Sequence, residues 1–135
     1  MADGEIGKSD YVALAQFREA LRRFLHFSEN AARKEGLTPQ QHQTLLAVKG
    51  RPDKEWASVT EIADALQVRH NAAVGLVARC ETAGLLTRAV HPTDRRVVCV
   101  SLTEKGEAVL ARLSRLHLGE LRHLRAALRI GSLEE

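Results

Sequence analysis

Five arginines, Arg69, Arg79, Arg88, Arg95 and Arg96, fall between Ala65 and Val100, where Glu81 and Asp94 are the acids, so this segment carries a net charge of +3. The rest of the chain is electrically neutral, with 15 basic and 15 acidic residues. A basic patch on a neutral body suits a polyanionic partner such as DNA; the plain alternative is a solvated face. Other chemistry is sparse. Cys80 and Cys99 form no C-x-x-C pair or disulfide framework, which fits a reducing cytoplasm. His117 and His123 lie six apart, and no His, Cys or carboxylate cluster has ligand spacing, so neither a metal nor a cofactor is expected. No nucleophile, paired-carboxylate or Gly-rich phosphate motif stands out, and an enzyme is not expected.

The elements that position these residues follow from periodicity. Leu86-Thr87-Arg88-Ala89-Val90-His91 alternates, as does the run from Val97 to Leu102, and Pro92-Thr93-Asp94 between them is turn chemistry. The pair reads as an antiparallel hairpin with Arg95 and Arg96 at its tip. Val98, Val100 and Leu102 share one face; Val97, Cys99 and Ser101 share the other. Upstream, Ser58-Val59-Thr60-Glu61 is a capping box opening a short helix with Val59, Ile62, Ala63 and Leu66 inward. A turn at Gln67-Val68-Arg69 leads to a second helix ending near Ala83 before Gly84. Two short helices joined in this way make a helix-turn-helix, whose second member is the recognition helix.

Around this lobe, Asp10 or Ser9 caps a first helix reaching about Glu35, with Leu14, Phe17, Leu21, Phe24, Ser28 and Ala31 along a seam that exceeds its own core's needs and implies a partner chain. Thr38, Pro39 and Gln41 start a second helix that turns Leu45, Leu46 and Val48 inward until Gly50. Trp56 is a core anchor, and Trp56-Ala57 forms a short strand against the hairpin. Thr103 caps a last helix to about Ile130, striped by Val109, Leu110, Leu113, Leu116, Leu121, Leu124 and Leu128, with a kink or break expected at Gly119. The arginines at 112, 115, 122 and 129 lie off that stripe as a solvated or salt-bridged face. At 135 residues the chain is expected to be a single domain, 1–135, with helices at 10–35 and 104–130 flanking a lobe at 38–102. Met1 to Ser9 is polar and reads as neither signal peptide nor anchor, and no apolar run approaches the ~20 residues a bilayer needs.

With this element order, residues 10–130 resemble the MarR family of winged-helix transcriptional regulators. The family's wing pattern of Asp-x-Arg, five residues, Leu or Ile, Thr, two residues, Gly is met by Asp94, Arg96, Leu102, Thr103 and Gly106. Leu37-Thr38-Pro39 and Gly84-Leu85-Leu86-Thr87-Arg88 look like family features too. The resemblance implies a mainly α fold with a small β-hairpin wing, a winged helix-turn-helix with long N- and C-terminal dimerisation helices. It implies that Asp94 positions the wing arginines and that Arg96 reaches the minor groove, whose negative potential attracts arginine. Arg95 is a phosphate contact by the same reading.

The recognition helix departs from the family, which commonly presents Ser, Thr and Arg where this chain has Asn71, Ala72, Val74 and Gly75. Arg69, His70 and Asn71 cluster at its N-terminus, where the helix dipole also favours a phosphate. Asn71 suits adenine, Ala72 and Val74 suit a thymine methyl, and Arg79 either contacts backbone or pairs near Glu81. The expected function is a sequence-specific DNA-binding regulator, a ligand-responsive repressor acting as a homodimer on a palindromic operator. The resemblance implies a small aromatic acid or phenol as effector; Arg18, Arg22 or His26 would meet its carboxylate, unless they are ordinary solvated charges. The competing readings are a thiol- or metal-responsive sensor of the same fold and a protein-interaction module without DNA affinity.

Overall fold

The computed structural model describes residues 4–128. The order is α1 (Lys8–Lys34), α2 (Pro39–Lys49), α3 (Val59–Leu66), α4 (His70–Thr82), β1 (Leu86–Val90), β2 (Val98–Leu102) and α5 (Glu104–Leu128). This is a winged helix-turn-helix flanked by two long helices. The expected helix end at Arg129 and Ile130 lies outside the described residues.

Local chemistry explains most boundaries. Thr38 and Gln41 form a reciprocal capping box on α2, and Ser58 and Glu61 do the same on α3. Gly36 and Gly84, at φ +83° and +77°, end α1 and α4 in the left-handed conformation that glycine adopts without strain. After each, the next amide returns to the last turn: Leu37 N–H to Ala32 O and Leu85 N–H to Cys80 O. Gln67, at φ 57°, closes α3 in the same way despite its side chain. The start of α1 differs from the sequence expectation. Gly7 is the N-cap, and Asp10 lies three residues inside, its carboxylate accepting from the Gly7 N–H at 2.9 Å. A carboxylate serves the helix N-terminus from either position, so residue type alone does not fix the register.

Leu45, Val48, Ile62, Val77, Cys80, Leu85, Val100 and Leu113 are fully buried and form one core that joins α2 to α5 through the hairpin. Leu46, expected inward, is instead about half exposed, because Leu45 and Val48 share one face of α2 and Leu46 stands roughly 100° away. Ala57 pairs with Val100 through two backbone hydrogen bonds of 2.9 Å, making the short third strand. Trp56 beside it is half-buried at the base of the wing rather than in the core. Helix α5 runs unbroken through Gly119. Its first half is buried through Val109, Leu110 and Leu113, whereas Leu116, Leu118, Leu121 and Leu128 are exposed. Tyr11, Leu14 and Phe17 on α1 are exposed as well. Among the described residues no helix is long and apolar enough to cross a membrane.

Gly106 sits where α5 leaves the hairpin, and a Cβ there would overlap the backbone carbonyl of Leu85. Alanine normally stabilises a helix interior by ~1 kcal/mol over glycine. At this position the sign reverses: Gly106→Ala is expected to cost about 3 kcal/mol, because backbone rather than a flexible side chain must move. Chemical denaturation measures this, and an unchanged or raised midpoint would contradict the packing described.

Candidate nucleic-acid interface

The hairpin loop, residues 91–97, is organised by His91. Its Nδ1 accepts from the backbone N–H groups of Thr93 (3.2 Å) and Asp94 (3.1 Å), so the ring proton is on Nε2. The ring packs edge-on to Trp56, 5.5 Å between centroids, and Lys54 Nζ lies 4.0 Å over the Trp56 ring. Asp94, held by this turn, accepts from Arg96 three times: from Nε at 3.0 Å, Nη2 at 3.1 Å and the backbone N–H at 3.1 Å. The Arg96 guanidinium holds the Asp94 carboxyl below its usual range. Asp94 therefore orients Arg96; Arg95, at the same tip, is exposed and has no hydrogen bond or ion pair among the described residues. His91 and Trp56 were not recognisable from sequence as supports of the loop.

The sequence window of +3 resolves into specific pairs. Arg88 Nε binds Glu81 at 3.0 Å and Arg96 binds Asp94, leaving Arg69, Arg79 and Arg95 without an acidic partner among the described residues. Glu81 is thus taken by Arg88, and the expected alternative of an Arg79 pair near Glu81 is not the one adopted. Arg69 is the N-cap of α4 but supplies no side-chain cap. Among the described residues the amides of His70, Asn71 and Ala72 have no acceptor, at the dipole's positive end. Ala73 and Val77 face the core, while Asn71, Ala72, Val74 and Arg79 face outward. The wing arginines and the outward face of α4 belong to one winged lobe, joined through β1 and the core.

Cys80 is fully buried on α4, and burial pushes its thiol up to about 11, against a small opposing influence of Arg79. It is a core side chain rather than an exposed thiolate. Among the described residues no group of three or more His, Cys, Asp or Glu side chains is arranged to hold a metal ion.

Arg18, Arg22 and His26 stand exposed on α1; Arg22 and His26 share a shallow groove with Glu19 and Arg23. The structure instead gathers a different set where α1, α2 and α5 meet. His117 Nδ1 donates to Leu113 O at 2.7 Å, which leaves Nε2 to accept from the Ser28 hydroxyl at 2.8 Å. Phe24, Phe27 and His42 pack on that ring with centroids 5.9, 5.4 and 4.8 Å away. His42 is buried, and its Nδ1 has no hydrogen-bond partner among the described residues. Burial, and secondarily the His117 charge, push its imidazole down to about 4 from 6.5. Because the unfolded chain takes up that proton first, stability is complete above pH 6.5 and falls as pH drops toward 4, by roughly 3 kcal/mol in total. The difference in unfolding free energy between the wild type and His42→Leu is expected to change by about 2.4 kcal/mol of that total between pH 7 and 4.5. A difference constant with pH would contradict it.

The MarR family's sequence profile matches residues 35–97, which span α2, the helix-turn-helix and the hairpin loop. A protein of Thauera aromatica named for transcriptional regulation of the hcr operon is 31% identical over 96 residues, covering 71% of this chain and 56% of that protein. The HTH-type transcriptional repressor MdtR of Bacillus subtilis is 34% identical over 74 residues, covering 55% of this chain and 46% of MdtR. The chain matches about half the length of these relatives. In three dimensions it is similar to AbsC, a MarR family transcriptional regulator from Streptomyces coelicolor, with a TM-score of 0.72, 21% identity, and coverage of 90% of this chain and 81% of AbsC. With the wing pattern, the helix-turn-helix and the flanking helices all in place, residues 35–97 are a MarR-family winged helix-turn-helix and the chain has the fold of that family's solved regulators.

Proposed function

We propose that this protein is a DNA-binding transcriptional repressor that acts as a homodimer on a palindromic site and is released by a small aromatic acid or phenol. The observation that carries the reading is the distribution of unpaired charge: among the described residues Arg69, Arg79 and Arg95 stand without acidic partners while Arg96 is held out on the wing by Asp94. An exposed Asp–Arg pair contributes little to stability, so its geometric effect on the wing is the more informative feature. In the proposed complex the N-terminal part of α4 enters the major groove, with Asn71 to adenine and Ala72 and Val74 against thymine methyls. Arg96 enters the minor groove, and Arg69, His70 and Arg95 contact phosphates.

The dimer reading is supported by Leu14 and Phe17 of α1 and Leu128 of α5, which line one groove, and by the further exposed leucines Leu116, Leu118 and Leu121 of α5. A twofold dimer sets two recognition helices about 34 Å apart, one turn of DNA. Effector response is supported by the His42–His117 cluster, which touches both long helices and α2 of the DNA-binding lobe. A ligand acts there only if it prefers one lobe spacing over another.

Fluorescence anisotropy with duplexes from the DNA beside the protein's own gene tests the reading. Affinity is expected to fall on the order of 10³-fold between 50 and 200 mM salt, as counterions are released. Arg96→Ala is expected to weaken binding about tenfold or more. Salt-insensitive binding, or an Arg95→Ala/Arg96→Ala variant that binds as tightly as the wild type, would overturn it.

A further inference from the structure

A groove of about 580 Å³ separates the N-terminal turn of α2 from the outward face of α4, lined on one side by Thr38, Gln40 and Gln41 and on the other by Asn71, Gly75 and Arg79. The last three recur at i, i+4 and i+8 and so form one stripe along the helix. Side chains on a helix lean toward its N-terminus, so a long side chain at 79 covers the turn before it. Here that turn presents Gly75. A Cβ built at 75 would lie 3.7 and 3.8 Å from the two terminal nitrogens of Arg79. The guanidinium is therefore folded back over the glycine, into space that a longer side chain at 75 would fill.

The Arg79 side chain makes no hydrogen bond or ion pair among the described residues, and the neighbouring acid, Glu81, is held by Arg88 at 3.0 Å. Its five N–H donors are free, in a planar fork one turn along from the Asn71 amide. Ala72 and Val74, the other outward residues of this segment, carry no polar group. Resting on the DNA-binding reading above, we propose that Gly75 and Arg79 act as a pair that reads a guanine: Arg79 supplies the fork to O6 and N7, and Gly75 supplies the space that brings the fork toward the groove-entering end of α4. The guanine then lies next to the adenine paired with Asn71 in each half-site. A phosphate contact is the poorer fit, because the guanidinium is drawn along the helix axis toward Asn71 instead of reaching sideways to a flanking strand.

Selection from a randomised duplex library, with the full chain as wild type, Arg79→Lys and Gly75→Leu, tests this. Arg79→Lys keeps the charge but loses the fork; Gly75→Leu keeps the fork's chemistry but displaces it by filling the space it occupies. The wild type is expected to select a guanine at one position of each half-site by about tenfold, and both variants to lose that preference. Binding of a fixed random-sequence duplex at low salt, read beside the selection, separates loss of sequence preference from loss of overall affinity. Retention of the guanine by Arg79→Lys, or wild-type sites selected by Gly75→Leu, overturns the proposal while leaving DNA binding intact. Equal loss across all sequences for Arg79→Lys reassigns the residue to phosphate and also overturns it. A wild type that retains no duplex overturns the DNA-binding reading and this inference together.

Discussion

Helix α5 begins so close to the segment that ends α4 that position 106 has no room for a side chain, and that contact sets the shape of the whole lobe. Thr103 N–H donates to Leu85 O at 3.0 Å, and its hydroxyl donates to Gly84 O at 2.6 Å while accepting from Gly106 N–H at 3.0 Å. Lys105 Nζ adds a bond to Ala83 O at 2.9 Å. The carbonyls of Ala83, Gly84 and Leu85, just past the end of α4, are thus served by Thr103 and the first turn of α5, with the hairpin spanning the gap. The outward face of α4 takes its direction from this junction, and the wing extends from the same place. Arg112 and Glu35, paired at 2.9 Å, then tie α5 to the end of α1.

Charge is distributed on this frame by pairing rather than by number. Lys54 with Glu61 and Lys49 with Glu55 and Glu107 take up charge within the lobe. Glu81 and Asp94 each take one arginine of the basic segment and leave three unpaired. The pairs at Asp94 and Glu81 are exposed and contribute little free energy. Their consequence is geometric, since Arg96 is fixed on the wing and Arg79 is left free over Gly75. Exposed apolar side chains occur on both parts of the molecule: Tyr11, Leu14 and Phe17 on α1 and Leu116, Leu118, Leu121 and Leu128 on α5, and also Val74 on α4 and Val90 and Val98 on the wing.

Much of the architecture was legible in the sequence because it is encoded locally. The two capping boxes, the glycines after α1 and α4, the alternation of the hairpin and the wing pattern from Asp94 to Gly106 each lie within a few residues, and each corresponds to an observed boundary. What was hidden depends on contacts between distant segments. His42 and His117 meet across α2 and α5, Trp56 supports a loop that begins at His91, and neither relation leaves a periodic trace. Leu46 was misplaced because three apolar residues within four positions cannot all face one side of a helix. The value of Gly75 was hidden for another reason: on paper it is a missing reader, and only the position of Arg79 shows that the space is filled.

Hydrogen exchange of the protein with and without a promoter duplex tests the central claim, that one face built from α4 and the wing meets DNA. The account predicts slowed exchange in residues 69–79 and 91–97, with α5 from Glu104 to Leu113 unchanged. Protection confined to α1 and α5, or none on saturation with duplex, would contradict it.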